Sequence, residues 1–169
     1  MAIIFPSGTL SAPTKIVQVQ QTIYHGAFSS SGNWTTVSGL NCSITPTSSS
    51  NKILVLLHIG AFAYNANTVV FDLQRNGSSV YQGAADGSRE RVSVRESGRP
   101  NGDNNHAFSM HLSTVDSPGT TSSTTYSIRM TGEGRGSTMH VNREINSSNT
   151  YDPAQARAAS TMTLMEFIP

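Results

Sequence analysis

The sequence is poor in charge and in cysteine. Charged residues make up only 12% of its 169 residues, about half of the usual fraction, and the only lysines are Lys15 and Lys52. The net charge of +1 argues against a nucleic-acid-binding surface, which requires a concentrated positive field. The single cysteine, Cys42, excludes an intramolecular disulfide and a cysteine-based zinc site. Its context, L-N-C-S-I-T, predicts a buried position in a strand.

Long apolar segments are also lacking. The longest apolar run covers residues 53–57, which is the length of a strand and far short of the roughly 20 residues of a membrane span. The first residues have neither a basic region nor an apolar run of the length that a signal peptide requires. We therefore expect no membrane interaction, and synthesis in a cytoplasm without export by a recognisable signal.

The chain divides into a short arm and one domain. Pro6 and Pro13 oppose helix in residues 1–14, which we predict to be an extended N-terminal arm. Residues 15–169 have the length of a single domain with a sizeable core. The arm carries apolar residues that fit no regular pattern, and they are expected either to pack on their own domain, to bind a partner or to be disordered. These are Ile3, Ile4, Phe5 and Leu10.

Apolar and polar residues alternate with a period of two along most of the domain, which is typical of strands. The clearest case is Thr68–Arg75, in which Val69, Phe71 and Leu73 are predicted to point into a core. The dipeptide Asn76-Gly77 follows and predicts a type I′ hairpin turn, because both residues accept positive φ. The other predicted strands are residues 16–24, 34–37, 40–45, 52–64, 79–82, 91–94, 107–113, 124–131, 138–141 and 158–168.

Strand number and spacing indicate the fold class. The apolar start of residues 52–64 predicts a central strand covered on both faces, and Gly60 within it indicates a bulge or a close backbone approach. No window shows a sustained helical period, so we expect almost no helix. Turn signals about every 8–12 residues are typical of an all-β sandwich or barrel. The long polar connection at 83–105 favours a jelly-roll-like antiparallel β-sandwich.

Residue patterns for catalysis or metal binding are missing. The histidines show no spacing typical of metal ligands, no G-x-S-x-G is present, and the glycine-rich segment 132–136 lacks the context of a phosphate loop. We therefore predict no enzyme, no cofactor and no metal site. Four aromatic residues are left with two interpretations, stacking on sugar rings or packing at sheet edges: Trp34, Tyr64, Tyr81 and Tyr151.

Five short segments carry a resemblance to a known family. They are K-I-V-Q-V-Q-Q-T at 15–22, S-I-T-P-T-S-S-S-N-K-I-L-V at 43–55, L-Q-R-N-G at 73–77, D-S-P-G-T-T-S-S-T-T-Y-S-I-R at 116–129 and S-T-M-T-L-M-E-F-I at 160–168. As a set they resemble a bacteriophage virion module, a small β-sandwich of phages of cyanobacteria and marine bacteria. The resemblance covers nearly all of the chain after residue 14.

The resemblance implies a structural role. Such modules are jelly-roll-like, usually trimeric and located on the virion exterior, either as tips of long fibres or as separate capsid decoration (cement) proteins. A short arm followed at once by the module suits a decoration protein. We therefore expect a homotrimer, made in the host cytoplasm, whose arm residues Ile3, Ile4, Phe5 and Leu10 bind the major capsid protein. The alternative is a receptor-binding fibre tip or adhesin that recognises host-surface glycans through residues 83–105 and 144–155.

Overall fold

The structure, a computed structural model, describes residues 15–65, 68–97, 107–133, 137–145 and 156–169. Within these residues the chain forms eleven strands and no helix. The strands are β1 (Lys15–Tyr24), β2 (Phe28–Ser30), β3 (Thr35–Ile44), β4 (Lys52–Tyr64), β5 (Thr68–Arg75), β6 (Ser78–Tyr81), β7 (Val94–Ser97), β8 (Phe108–Asp116), β9 (Thr124–Gly132), β10 (Met139–Val141) and β11 (Ser160–Ile168).

The strands form two antiparallel sheets. Sheet A contains β1, β11, β4 and β8 in that order, and the short strand β10 pairs with the far end of β4 and with β2. Sheet B has the order β3-β9-β5, and β6 and β7 both pair with β5. The described strands therefore place β4 in the middle of sheet A and β9 and β5 in the middle of sheet B.

The strand pairs are nested within one another. Strand β1 pairs with β11, β3 with β9, β4 with β8, and β5 with β6 and β7. Successive pairs lie alternately in sheet A and sheet B, as in one long hairpin rolled up on itself. This is the jelly-roll arrangement, and the predicted all-β, jelly-roll-like sandwich is confirmed.

The core lies between the two sheets and is built by the inward-pointing half of each strand. Val69, Phe71 and Leu73 point inward as their alternation predicts, and each has no exposed surface. Cys42 is 4% exposed in strand β3, which confirms its predicted burial. The largest fully buried side chains are Tyr64, Tyr126, Phe62, Phe71, Leu40, Ile53, Leu57, Ile59, Leu73, Ile128, Met130 and Met139.

Several strand boundaries differ from the predicted ones. The two segments predicted at 34–37 and 40–45 form a single strand, β3, whose register shifts between Thr36 and Asn41. Gly39, at a φ of 87° within this shift, accommodates the irregularity that the sequence presents as a break. The prediction missed β2, and β7 begins at Val94, where the predicted strand ends.

Two glycines have the roles that the sequence predicts. Gly77 and the preceding Asn76 have φ values of 83° and 48°, as a type I′ turn requires. Gly60 lies within a register shift of β4 against β8, between Ile59 and Phe62. A Cβ atom at Gly60 would lie 2.2 Å from the carbonyl oxygen of Ala159, so this position is both a bulge and a close backbone approach.

Candidate functional site

Strand β1 turns its apolar side away from the core. Val19 and Ile23 are 49% and 51% exposed, and Ile16 is 57% exposed. The glutamine Gln18 instead points inward, where its amide reaches a buried carboxylate. Since apolar residues of an edge strand normally face the core, this reversal makes the outer side of sheet A a candidate interaction surface.

The same apolar character continues across sheet A. The register of β1, β11, β4 and β8 places outward-pointing residues in rows, one of which runs Val19, Met165, Leu54, Val115. We call the outward-pointing residues of these strands the sheet A outer face. Its apolar members are Ile16, Val19, Ile23, Leu54, Leu56, Val115, Met165 and Phe167.

The sheet A outer face is almost free of charge. Lys52, opposite Phe167 in the register, is its only lysine, arginine or carboxylate residue, and its other polar members are glutamine, serine, threonine and histidine side chains. Gln21 donates a 2.8 Å hydrogen bond from Nε2 to Oγ1 of Thr163, so part of this polarity is already satisfied. The face is therefore suited to contact with an apolar, uncharged surface.

A shallow groove crosses the face beside two stacked histidines. His58 and His111 are register partners on β4 and β8, and their ring centroids lie 4.3 Å apart at 22° between planes. Leu56, Ser113 and Thr161 also line the groove. Nδ1 of His58 is buried and has no hydrogen-bond partner among the described residues.

The area of the face can be estimated from strand geometry. Four strands at a spacing of about 4.8 Å and four rows about 6.8 Å apart give a projected surface of roughly 500 Å². Apolar side chains occupy about half of this surface, and contiguous apolar patches of a few hundred Å² frequently mark an interaction site. The whole face is about two thirds of the roughly 800 Å² that each partner contributes to a standard protein–protein interface.

The outer side of sheet B is polar and partly covered. Asp72 and Gln74 point outward from β5 as predicted but are 0% and 7% exposed. Asp72 accepts hydrogen bonds from Arg129, Ser79 and Gln82. The indole of Trp34 lies over the Arg129 guanidinium, 4.5 Å from ring centroid to Cζ. Polar side chains therefore cover the outer side of sheet B, whereas apolar side chains are exposed on the outer side of sheet A.

Three of the five resemblance segments meet at one buried carboxylate. Glu166 on β11 has no exposed surface and accepts hydrogen bonds from Gln18, from the backbone and side chain of Thr47, and from Asn51, at 2.6–2.8 Å. Burial alone would raise the pKa of Glu166, but these hydrogen bonds outweigh burial and lower the pKa to about 2. The cluster ties β1, β11 and the β3–β4 turn together.

The other two segments meet at a second cluster. Arg75 Nη1 lies 2.7 Å from Oδ2 of Asp116, and the hydroxyl of Tyr126 donates a 2.6 Å hydrogen bond to the same oxygen. Burial, and then the neighbouring carboxylate of Asp116, raise the pKa of Tyr126 well above its usual value. The residues that carry the resemblance thus hold the two sheets in register.

The predicted aromatic and arm residues are placed as follows. Tyr64 is 2% exposed and belongs to the core, whereas Tyr81 is 43% exposed at the edge of sheet B. Trp34 is half-buried and donates a 2.8 Å hydrogen bond from Nε1 to Glu90. Five further predicted residues and the arm itself lie outside the described residues. These are Ile3, Ile4, Phe5 and Leu10 of the arm 1–14, and with them Tyr151.

His140 lies apart from the stacked pair His58 and His111, in strand β10. His140 is 6% exposed, and its pKa is lowered by burial and then by the nearby Arg143 cation. Among the described residues, no three histidine, cysteine or acidic side chains form a group that could hold a metal ion. None of the described residues belongs to a helix long and apolar enough to cross a membrane.

Comparison of the sequence with models of protein families finds no match. A search of curated proteins likewise finds no similar sequence.

Proposed function

We propose that this chain is a structural protein of a bacteriophage virion, a homotrimer that decorates the outside of the capsid. The sheet A outer face is the observation that carries the assembly part of the proposal. Eight apolar side chains and a single lysine lie on one side of four strands of sheet A. The phage origin and the trimeric state rest on the resemblance of the five sequence segments to the virion module.

A second copy of this chain is the partner that the charge of the face favours. A surface with one lysine and no carboxylate offers little for a strongly charged partner to pair with, and a second copy brings only one further lysine to the contact. Three copies that turn this face toward a common axis would remove its apolar groups from water, which is the main driving force for association. The loops bordering the face must supply the rest of each contact area.

The capsid contact is proposed for the arm. Ile3, Ile4, Phe5 and Leu10 precede β1, whose first outward residue, Ile16, lies at the margin of the sheet A outer face. A trimer would present three such arms, and binding at several points raises the overall affinity far above that of one arm.

Light scattering coupled to gel filtration tests the assembly. The wild-type chain is expected at three times the 18.0 kDa of one chain. Val19→Glu combined with Val115→Glu places two carboxylates in one row of the face and is expected to yield monomers. Tyr81→Glu is the matched control, because Tyr81 is similarly exposed but lies on sheet B. A monomeric wild type, or a trimer that tolerates both glutamates, contradicts the proposed interface.

The virion location is tested by quantitative mass spectrometry of purified particles. Hundreds of copies per particle support a capsid decoration protein, and deletion of residues 2–13 should then leave a trimer that no longer binds capsids. A few copies, in a multiple of three, would favour the alternative, a receptor-binding fibre tip. Absence of the chain from purified particles would contradict both.

A further inference from the structure

Two histidines of the sheet A outer face are in direct ring contact. His58 on β4 and His111 on β8 are register partners, and their rings stack with centroids 4.3 Å apart and 22° between planes. The register places the pair in the row Ile23, Thr161, His58, His111, at the end of the face opposite Lys52. The pair is therefore part of the surface that the proposed trimer covers.

This ring contact suits neutral imidazoles and opposes charged ones. Two imidazolium rings at such a separation repel each other, and like charges directly opposite on antiparallel strands are destabilising. Histidine is the side chain that ordinarily changes its charge between pH 8 and pH 5. Acidification within this range therefore places charge on a part of the face that is neutral at higher pH.

His58 presents a second obstacle to a charged ring. Both nitrogens of an imidazolium are hydrogen-bond donors, but Nδ1 of His58 is buried and has no partner among the described residues. A protonated His58 would hold an N–H group there without an acceptor, which costs free energy. Protonation therefore favours a ring that turns out of the stack toward water, and a covered face leaves no water to reach.

The strands around the pair supply no carboxylate that would offset its charge. The groove beside the two rings is lined by leucine, serine and threonine side chains. Asp116 on β8 points to the core side, where Arg75 pairs with it, and Glu166 on β11 points the same way and is bound by Asn51. Titratable or charged residues that flank this end of the face include His25 after β1, Arg157 before β11, and His140, Arg143 and Glu144 in and after β10.

We propose that protons control assembly through the sheet A outer face: copies associate while the His58–His111 pair is neutral and separate when it is protonated. This inference rests on the assembly proposed above. Each chain brings two rings to the interface, and burying them removes the water that would solvate an imidazolium. The separate chain therefore binds protons more readily than the assembled one, so assembly releases protons and weakens as the pH falls. Lys52 differs, because its long side chain can carry the ammonium group to water at the margin of the face.

The test is light scattering coupled to gel filtration of the full chain at pH 7.5 and pH 5.0, at one protein concentration. A trimer is expected at pH 7.5, and the association constant should be at least tenfold lower at pH 5.0 and recover on return to pH 7.5. A trimer equally stable at both pH values overturns proton control and leaves the assembly standing. A chain that is monomeric already at pH 7.5 contradicts the assembly and this inference with it.

Circular dichroism at both pH values separates dissociation from unfolding. The Glu166 carboxyl, whose pKa is about 2, keeps its charge at pH 5.0, so the folded spectrum should persist. Loss of that spectrum at pH 5.0 would assign the dissociation to unfolding and would overturn the proposal.

Substitution of the pair identifies the groups that respond. His58→Gln combined with His111→Gln keeps neutral polar side chains and should give a trimer of equal stability at both pH values. His25→Gln is the matched control, because His25 is exposed but follows β1, and it should respond to pH as the wild type does. A double variant that still dissociates at pH 5.0 would assign the response to other groups.

His111→Lys tests the charge itself without a change of pH. His111 is exposed, so a lysine there should not disturb folding, and it places a lasting positive charge beside His58. Association at pH 7.5 should fall at least tenfold. A trimer that tolerates this lysine would show that positive charge at the pair does not oppose assembly.

Discussion

Asn51 Nδ2 donates a 2.6 Å hydrogen bond to Oε1 of Glu166, 115 residues further along the chain. The carboxylate has no exposed surface, and its ionised form is stable there because Gln18 and Thr47 donate to it as well. Asn51 is itself 5% exposed. The pair therefore fixes the β3–β4 turn on the last strand from inside the protein.

Glu166→Gln is expected to lower the free energy of unfolding by about 2–4 kcal/mol. A glutamine side chain keeps only one acceptor oxygen and turns an NH2 group toward donors of the cluster. Asn51→Ala should cost about 1.5–3 kcal/mol, the value of one hydrogen bond to a charged group. Urea denaturation followed by tryptophan fluorescence measures both. Glu133→Gln, at an exposed carboxylate, is the control and should change little.

Glu166 also predicts a dependence of stability on acid. The folded pKa of about 2 lies below the ordinary value of 4.5, so the unfolded chain binds the proton more tightly. The stability from Glu166 is therefore complete above pH 4.5 and is lost as the pH falls toward 2. Unfolding curves between pH 6 and pH 2.5 should show a smaller decline in Glu166→Gln than in wild type. Parallel declines would show that other groups cause the acid sensitivity.

Removing the arginine of the ion pair on sheet B is expected to lower the stability of the protein. Arg129 Nη2 lies 2.8 Å from Oδ2 of Asp72, which is fully buried. Arg129→Met leaves that carboxylate without its countercharge and should cost about 3–5 kcal/mol. The double variant Asp72→Asn with Arg129→Met should cost less than Arg129→Met alone. A double variant less stable than the single one would show that Asp72 does not depend on Arg129.

Gly60 should not tolerate a side chain. Gly60→Ala brings a methyl group against the carbonyl oxygen of Ala159, and the backbone shift that relieves the contact is expected to cost about 1–3 kcal/mol. Gly83→Ala is the matched control, since no atom lies within 4 Å of its added Cβ, and it should stay within about 0.5 kcal/mol of wild type. Equal thermal midpoints for the two variants would contradict the close approach.

The sequence predicts which residues of a strand share a face far better than it predicts what covers each face. The pattern in Thr68–Arg75 places Val69, Phe71 and Leu73 in the core, as found, because alternation is a local property. It does not show that Asp72 is buried, because the cover comes from residues 79, 82 and 129 of other strands and loops.

The candidate site was missed for the same reason. Val19 and Ile23 in β1 alternate with polar residues just as core residues do, and the local pattern does not show which side faces the core. The bulge between Ile16 and Gln18 and the hydrogen bond from Gln18 to Glu166 determine which side of β1 faces the core. Both depend on the pairing of β1 with β11. The signal for this orientation is the hydrogen bond from Gln18 to Glu166, but the sequence alone does not show that these two residues meet.

The pairing of β1 with β11 sets the order in which the protein can fold. Gln18 and Glu166 are 148 residues apart, so sheet A closes only after its last strand has left the ribosome. Roughly a hundred residues separate the end of β4 from the start of β11, which at about 5–20 residues per second takes on the order of 5–20 s. During that time the apolar edge of β4 has no neighbour from β11. Chains with such distant contacts fold slowly, so we expect the newly made protein to depend on chaperones that shield β4.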